Sequence, residues 1–285
     1  MSAPQQPLTR VGPVYLVDRM PGLHDRLITM LRSLKPSDWD RPTACALWSV
    51  KDITAHLLDT SLRRLSLGRD GLSAAPVPAP ADYAELVAYL NRLNAEWTAA
   101  CRRLSPQVLI ELLEDAGPRL HDFLRSLDPH GSALFPVSWA GDERSPVWFD
   151  IGREYTEQWL HQQQIREAVG TDLLSGREWL HPTLDIFVRA LPFTYREVAG
   201  QPGLSVRFAI SGPAGGVWTL VRNARGWDLF VGQDREPSAQ VQLDQETAWK
   251  LFSKGLSTQA ARQHIHIEGD RRLGEPVFRS LAVMA

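Results

Sequence analysis

The chain has 285 residues, of which 44% are hydrophobic and 22% are charged, the composition of a globular protein with a sizeable core. The length suits two domains of ordinary size. A formal net charge of −2 offers no strongly basic surface, so neither nucleic acid nor a membrane is expected as a partner.

The amino terminus and the cysteines favour a cytoplasmic protein. The opening MSAPQQPLTR contains no apolar signal segment, and no apolar run approaches the ~18 residues that a spanning helix needs. Cys45 and Cys101 lie in unrelated contexts and form no CxxC motif, so we expect neither a disulfide framework nor an oxidising compartment. Each cysteine is interpreted as a small buried hydrophobic residue rather than as a nucleophile.

Helical periodicity dominates the first part of the chain. GLHDRLITMLRSL carries leucines three and four residues apart, and SVKDITAHLLDTSLRRLSL begins with Ser49 and Asp52 in a capping-box pattern. After a Pro-Ala segment, AAPVPAPADY, a third helix is predicted to begin at Asp82. SPQVLIELLEDAGPRLHDFLRSL predicts one helix or two, because Pro118 should break or kink it, and VWFDIGREYTEQWLHQQQIREAVG predicts a long helix that ends at Gly170.

Beyond WLHPTLDIFVRALPFTYREV, a helical stretch able to pack with either part of the chain, the periodicity changes to that of strands. LSVRFAISG, GVWTLVRN, WDLFVG and AQVQLD read as short strands, with NARG as a tight hairpin turn. QETAWKLFSKG and GEPVFRSLAVM read as amphipathic helices with the strand HIHIEGD between them. The chain is therefore predicted to be an α+β multidomain protein, with a helical bundle followed by a small domain containing a mainly antiparallel sheet.

Glu157 and His161 form the pair of residues most typical of a metal site. They are four residues apart on a predicted helix, so they share a face with Cβ atoms ~5–6 Å apart. His56, on another predicted helix, would complete two histidines and a carboxylate, leaving an open coordination position. The alternative is a bundle with two buried, hydrogen-bonded histidines. Asp52 is assigned to the cap first, and to orienting His56 only as a remoter alternative.

The other histidines are weaker candidates as ligands. His24 is expected in the core or at the surface, and His121 at the surface beside Asp122. His264 and His266 alternate on a predicted strand and could share a metal, but without an assured carboxylate. The remaining two are placed in a loop and at a helix start: His130 and His181.

The stretch RPTACALWSVKDITAHLLD resembles the metal-ligand signature of the DinB-like families, in the branch of mycothiol-dependent maleylpyruvate isomerase. EQWLHQQQIR resembles that branch's late Glu-x-x-x-His stretch, and HIHIEGDRRLGEPVFRSLAVMA resembles the end of its second, sterol-carrier-like domain. The resemblance spans nearly the whole chain. It implies a DinB-like four-helix bundle at residues 1–175 and a sterol-carrier-like α+β domain, with a linking helix, at residues 176–285.

The resemblance also implies a divalent metal, zinc first and Ni²⁺ or Fe²⁺ as alternatives, held by His56, Glu157 and His161. One departure stands out: members often carry Asp where this chain has Gln164, and an amide can orient a ligand but brings no charge. Arg153, one turn before Glu157, either orients that carboxylate or is a solvated arginine.

The implied activity is that of a metal-dependent isomerase or S-transferase that uses a low-molecular-weight thiol such as mycothiol on an electrophilic small molecule. A coordinated thiol loses its proton, and in the isomerase its addition to a cis double bond permits rotation before elimination. Arg222, at a strand end near the hairpin, is our candidate for binding a substrate carboxylate, chosen over three other arginines of the second domain: Arg262, Arg271 and Arg272.

Two interpretations from other classes stay open. The second domain could bind a hydrophobic ligand through GVWTLV and WDLFVG, although core packing explains these aromatics as well. The bundle could instead belong to a non-catalytic, metal-binding regulator of the anti-sigma kind. A monomer or weak homodimer is expected in each case.

Overall fold

The computed structural model describes residues 8–72, 82–232 and 236–283. Most of the predicted Pro-Ala segment lies outside these residues. The described chain divides into two compact units. The helical unit comprises residues 15–135 and 146–173, and the sheet unit comprises residues 8–14, 136–145 and 174–283. No helix among the described residues is long and apolar enough to cross a membrane.

Five helices make up the helical unit: α1 Met20–Ser33, α2 Val50–Arg64, α3 Tyr83–Cys101, α4 Pro106–Ser126 and α5 Val147–Val169. Helices α1, α2, α4 and α5 pack as a four-helix bundle, and α3 packs on α2. The core is formed by apolar residues spaced three and four apart, which places them on the inner face of each helix: Leu27, Leu31, Ile53, Leu57, Leu109, Leu113 and Ile165.

Several helix ends lie where the sequence predicts them. The Ser49 hydroxyl accepts from the Asp52 backbone N–H at 3.2 Å, and the Asp52 carboxylate accepts from the Ser49 backbone N–H at 3.1 Å. Asp82 caps α3, accepting from the Glu85 backbone N–H at 2.9 Å. Gly170 ends α5 with φ +72°, a conformation that glycine adopts without strain. These ends fix where α2 and α5 present their side chains.

Pro118 does not break α4, which runs unbroken from Pro106 to Ser126. The proline removes one backbone hydrogen bond, but the residue before it is Gly117, which has no Cβ to clash with the proline ring. Leu113 and Leu120 are fully buried on either side of this point, so packing holds the helix in register. Of the two alternatives that the sequence left open, the structure therefore has one helix and not two.

The sheet unit contains one six-stranded sheet in the described residues, with strand order β1-β4-β3-β2-β5-β6. Its strands are β1 Thr9–Arg10, β2 Ser205–Ser211, β3 Gly216–Arg222, β4 Trp227–Val231, β5 Ala239–Asp244 and β6 His266–Gly269. All pairs are antiparallel except β2 with β5, so the prediction of a mainly antiparallel sheet is confirmed. The predicted turn NARG joins β3 to β4, with the Asn223 side chain accepting from two backbone N–H groups of the turn.

The helices of the sheet unit are α6 Arg177–Phe187, α7 Leu191–Thr194, α8 Gln245–Phe252, α9 Thr258–His264 and α10 Arg271–Gly274. Phe208 and Trp218 are directly paired across β2 and β3 and are each 2% exposed. The Trp218 indole donates to Asp185 of α6 at 2.9 Å, and Trp227 is likewise buried. These tryptophans are thus part of the core of this unit.

The carboxy-terminal part differs from the prediction in two places. The described part of GEPVFRSLAVM contains a short 3-10 helix, Glu275–Arg279, instead of a longer amphipathic helix. Helix α9 was not predicted; Ser257 caps it by accepting from the Ala260 N–H at 3.2 Å. His264 ends that helix, so His264 and His266 do not alternate on one strand.

Candidate metal centre

Helices α2 and α5 bring His56, Glu157 and His161 together in the helical unit. The Nε2 atom of His56 lies 3.0 Å from Oε1 of Glu157, and the Nε2 atom of His161 lies 3.1 Å from the same oxygen. The two imidazole rings have centroids 4.7 Å apart and meet edge to face. The spacing of Glu157 and His161 follows from the helix, whereas the approach of His56 depends on the packing of α2 against α5.

These residues fit a small divalent cation. One ligand atom from each lies within 4.8 Å of the other two, and two imidazole nitrogens with one carboxylate oxygen are donors that zinc accepts. Nδ1 of His56 is buried and has no hydrogen-bond partner among the described residues. Its Nε2 is therefore the nitrogen that the structure aims at the carboxylate.

Burial and mutual attraction set the charges at this centre. Burial lowers the pKa of His56, an effect that its hydrogen bond to Glu157 partly offsets. Burial by itself raises the pKa of Glu157, but the two histidines hold the pKa of that carboxyl well below its usual range. Burial lowers the pKa of His161, but the Glu157 carboxylate and the neighbouring Cys45 together outweigh burial and raise this pKa to about 10. Without a cation, Glu157 and His161 form a buried ion pair.

Trp48 packs against both histidines and is a neighbour that sequence reasoning missed. Its ring centroid lies 4.7 Å from that of His56 and 5.8 Å from that of His161. It follows a short loop closed by the Trp48 N–H donating to the Cys45 carbonyl at 2.8 Å. The signal was present, since Trp48 directly precedes the helix cap in the stretch that carries the resemblance.

Gln164 lies on the same face of α5 as the two ligand candidates. Its Oε1 accepts a hydrogen bond from Nδ1 of His161 at 2.8 Å, so the amide does orient that ring. The Cys45 thiol donates to the same oxygen at 3.3 Å. Cys45 is only partly buried, which corrects its interpretation as a buried apolar side chain, whereas Cys101 is buried as expected.

Arg153 binds a different carboxylate from the one considered in the sequence. Its Nη2 donates to Asp150 at 2.7 Å, and Asp150 also accepts from Arg64 of α2. Asp150 and Arg64 are both buried. Arg153 is therefore anchored by Asp150 and is not a solvated arginine, and its positive charge also interacts with Glu157. Asp52 is fully engaged in its cap and in an ion pair with Arg102 at 3.2 Å.

The remaining histidines lie away from this centre. His121 is 4% exposed, so the expected surface position is wrong; the turn of α4 after Pro118 faces the bundle, and its ring meets that of His24 with centroids 5.5 Å apart. His130 contacts the Tyr15 hydroxyl at 3.0 Å. His181 lies inside α6 with Nδ1 2.9 Å from the Ala214 carbonyl.

Arg222 lies at the end of β3, opposite Trp227 of β4, in the sheet unit. Its Nε is buried and has no hydrogen-bond partner within the described part of the chain. The three rejected arginines are all in ion pairs: Arg262 and Arg271 with Glu275, and Arg272 with Asp270.

Two solved structures share the fold of this chain. The crystal structure of the mycothiol-dependent maleylpyruvate isomerase matches with a TM-score of 0.54 and 11% identity, over 88% of this chain and 91% of that chain. A histidine-to-alanine variant of that enzyme matches with a TM-score of 0.53 and 10% identity, over the same shares. At such identities the likeness shows the fold. A search of curated proteins gave no match.

The sequence comparison is more specific than the fold. Residues 21–166 match the family described as the mycothiol maleylpyruvate isomerase N-terminal domain. This range includes helices α2 to α4, nearly all of α1 and α5, and every residue of the candidate metal centre. Because the match extends over just more than half of the 285 residues, the chain belongs to the mycothiol maleylpyruvate isomerase N-terminal domain family.

Proposed function

We propose that this protein is a divalent-metal-dependent enzyme that uses a low-molecular-weight thiol on an electrophilic small molecule, as an isomerase of the maleylpyruvate type or as an S-transferase. The observation that carries the proposal is the convergence of His56 and His161 on one oxygen of Glu157. Membership of a family named for a mycothiol-dependent isomerase supports a thiol such as mycothiol as the second cofactor.

His56, Glu157 and His161 would hold the metal, with zinc as the first choice and nickel or iron as alternatives. A bound divalent cation would supply a Lewis-acid position at which a thiol loses its proton or a carbonyl is polarised. The protein's own contribution is to hold three donors in place and to restrict water on one side with Trp48, which contacts both imidazole rings.

The isomerase reaction needs no protein nucleophile. The thiolate sulfur bonds to one carbon of a cis double bond, and the electron pair of that bond moves onto the conjugated carbonyl. Rotation about the resulting single bond and expulsion of the thiolate then give the trans isomer. An S-transferase would stop after the sulfur has bonded to the electrophile and the neighbouring carbon has taken up a proton from water. Arg222 remains our candidate for binding a substrate carboxylate, because an arginine matches a carboxylate through two hydrogen bonds.

The first experiment is metal analysis of protein purified without a histidine tag. We expect near one metal ion per chain in the wild type and a large loss in His161→Ala. His264→Ala is the matched control, since it removes an exposed histidine outside the helical unit. A wild type that neither contains metal nor takes up added zinc would contradict the proposal.

An activity assay then distinguishes an enzyme from a non-catalytic metal-binding protein. With maleylpyruvate and a low-molecular-weight thiol, we expect activity that requires both the thiol and the metal and that returns when a chelated sample is reloaded. Arg222→Lys should raise KM with metal content unchanged. Stoichiometric metal without thiol-dependent turnover across a panel of electrophiles would leave a non-catalytic metal-binding protein. The proposal includes a cytoplasmic location, where a thiol cofactor stays reduced.

A further inference from the structure

The contact with Gln164 determines which ring nitrogen of His161 can bind a cation. His161 is held between two residues of its own helix, with Nε2 3.1 Å from Glu157 and Nδ1 2.8 Å from Oε1 of Gln164. An amide oxygen only accepts hydrogen bonds, so the proton between Nδ1 and Gln164 belongs to the imidazole. A neutral His161 with its proton on Nδ1 carries its lone pair on Nε2, the nitrogen that faces His56 and Glu157.

Cys45 determines which end of the amide faces His161. If the Gln164 amide turned over, its NH₂ group would replace the oxygen and Nδ1 would have to act as the acceptor. The proton of a neutral His161 would then sit on Nε2 and block metal binding. The Cys45 thiol, which donates to the same oxygen at 3.3 Å, also favours an acceptor at that place. The His161 Nδ1–H and the Cys45 thiol both donate to Oε1 of Gln164, so both favour the same orientation of the Gln164 amide.

The loop that carries Cys45 is itself well held. The Cys45 N–H donates to the Thr43 hydroxyl at 3.2 Å, and that hydroxyl donates to the Trp48 carbonyl at 2.8 Å. This loop therefore reaches both histidines, through the Trp48 ring and through the contact from Cys45 to Gln164. Gln164 is 8% exposed, so little water competes for its oxygen.

We propose that Gln164 and Cys45 form a neutral positioning pair that selects the Nδ1–H form of His161 and so directs its Nε2 at the metal. The pair would replace the carboxylate that often orients a ligand histidine. Because no negative charge stands behind the ring, the imidazole donates less electron density and leaves the metal more electrophilic. This inference rests on the proposed metal site.

Metal affinity, measured by competition with a chelator, tests the pair independently of activity. We expect Gln164→Leu to weaken zinc and cobalt binding about 10- to 100-fold. Gln164→Glu should tighten binding and shift the visible spectrum of the cobalt form, because it places a charge behind the ring. Cys45→Ala should weaken binding less than Gln164→Leu, and Cys45→Ser, which keeps a donor, should stay close to the wild type.

Gln162→Leu is the matched control. Gln162 is also buried on α5, but its amide donates to the Leu23 carbonyl and accepts from Arg166 instead of bonding His161. A purely structural role for Gln164 would lower the unfolding midpoint in both leucine variants and leave both metal affinities unchanged. That result would overturn the proposal. The glutamate and cysteine variants keep the test decisive if Gln164→Leu fails to fold.

NMR of metal-free protein with ¹⁵N-labelled histidine separates this inference from the metal site itself. Near pH 7 the metal-free His161 carries a proton on both ring nitrogens, so its Nδ1–H signal reports the contact with Gln164. We expect this signal to be that of a hydrogen-bonded proton, to be lost in Gln164→Leu and to be altered in Cys45→Ala. If that signal behaves as expected but the wild type binds no metal, the proposed function fails and the positioning pair stands. If the wild type binds metal and neither variant changes the signal or the affinity, the pair is wrong.

Discussion

At the scale of single residues, the centre is a set of charges that compensate one another. His161 and Glu157 are an ion pair in the absence of a cation, while burial lowers the pKa of His56 and keeps it neutral near pH 7. A cation has to replace a proton on His161, because a metal binds only the deprotonated nitrogen. In the proposed metal site, binding of the cation and release of this proton are therefore coupled.

We predict that metal affinity rises with pH, about tenfold per unit between pH 6.5 and 8.5. The reason is that His161, with its pKa raised to about 10, must release one proton for each metal ion bound. Chelator competition at three pH values measures the slope. In Glu157→Gln the slope should flatten, because the carboxylate that holds the proton is gone. A pH-independent affinity in the wild type would contradict the coupling.

The residues of this centre divide into those that a sequence pattern can predict and those that it cannot. The four-residue spacing of Glu157 and His161 is a property of any helix, and it was confirmed. The approach of His56, the contacts of Trp48 and the thiol of Cys45 depend on how α2 and its preceding loop pack on α5. No local pattern specifies such packing, so only the family resemblance suggested His56 strongly.

At the scale of elements, helix caps could be predicted from the sequence. The effects of tertiary packing on a helix could not. Ser49, Asp82 and Gly170 act through bonds to residues within a few positions, which a sequence displays directly. The sequence could not decide whether Pro118 divides α4, because that depends on whether the packing of the helix outweighs one lost hydrogen bond. His121 was placed at the surface for the same reason: the uninterrupted helix turns it toward α1.

We predict that His121→Leu makes the protein more tolerant of acid. Burial, followed by the proximity of His24 and Arg125, lowers the pKa of His121 to about 4, despite the opposing charges of Asp25 and Asp122. Its ordinary pKa is 6.5, so the unfolded chain binds a proton first, and stability present above pH 6.5 is lost as pH falls toward 4.

Urea unfolding at pH 7.5 and pH 5.0 measures the effect. The wild type should lose at most about 2 kcal/mol more unfolding free energy between these pH values than His121→Leu does. The variant gives up no hydrogen bond at Nε2, which has no partner among the residues that the structure describes. His264→Leu, at an exposed position, is the control. Equal acid sensitivity in wild type and His121→Leu would show that this histidine does not carry the effect.

At the scale of the whole molecule, the two classes of structure were predictable because the hydrophobic period changes near residue 200. The sequence did not show which segments of the chain belong to each of the two units. Strand β1 pairs with β4, with Thr9 opposite Val231, so the sheet unit takes in residues from both ends of the described chain. A two-residue strand has too little pattern to be recognised, and its partner is far away in sequence. The predicted domain boundary between residues 175 and 176 stays a prediction.

We predict that removing residues 1–14 destabilises the sheet unit and leaves metal affinity unchanged. The deletion exposes the edge of β4, the ion pair of Arg10 with Asp228 at 2.7 Å is lost, and Arg189 loses the Gly12 carbonyl as a partner. Thermal unfolding and chelator competition on the same sample measure the two effects. Full-length protein with Arg10→Ala serves as the milder comparison. A parallel loss of metal affinity would contradict the prediction.

The pairing of β1 with β4 also has a consequence for how the chain is synthesised. All residues of the helical unit have left the ribosome once residue 173 has emerged, whereas the first strand must wait for a partner more than 200 residues downstream. The three candidate ligands are thus complete on a nascent chain before any other strand of the sheet exists. A cation available at that moment would stabilise the bundle while the rest of the protein is still being made.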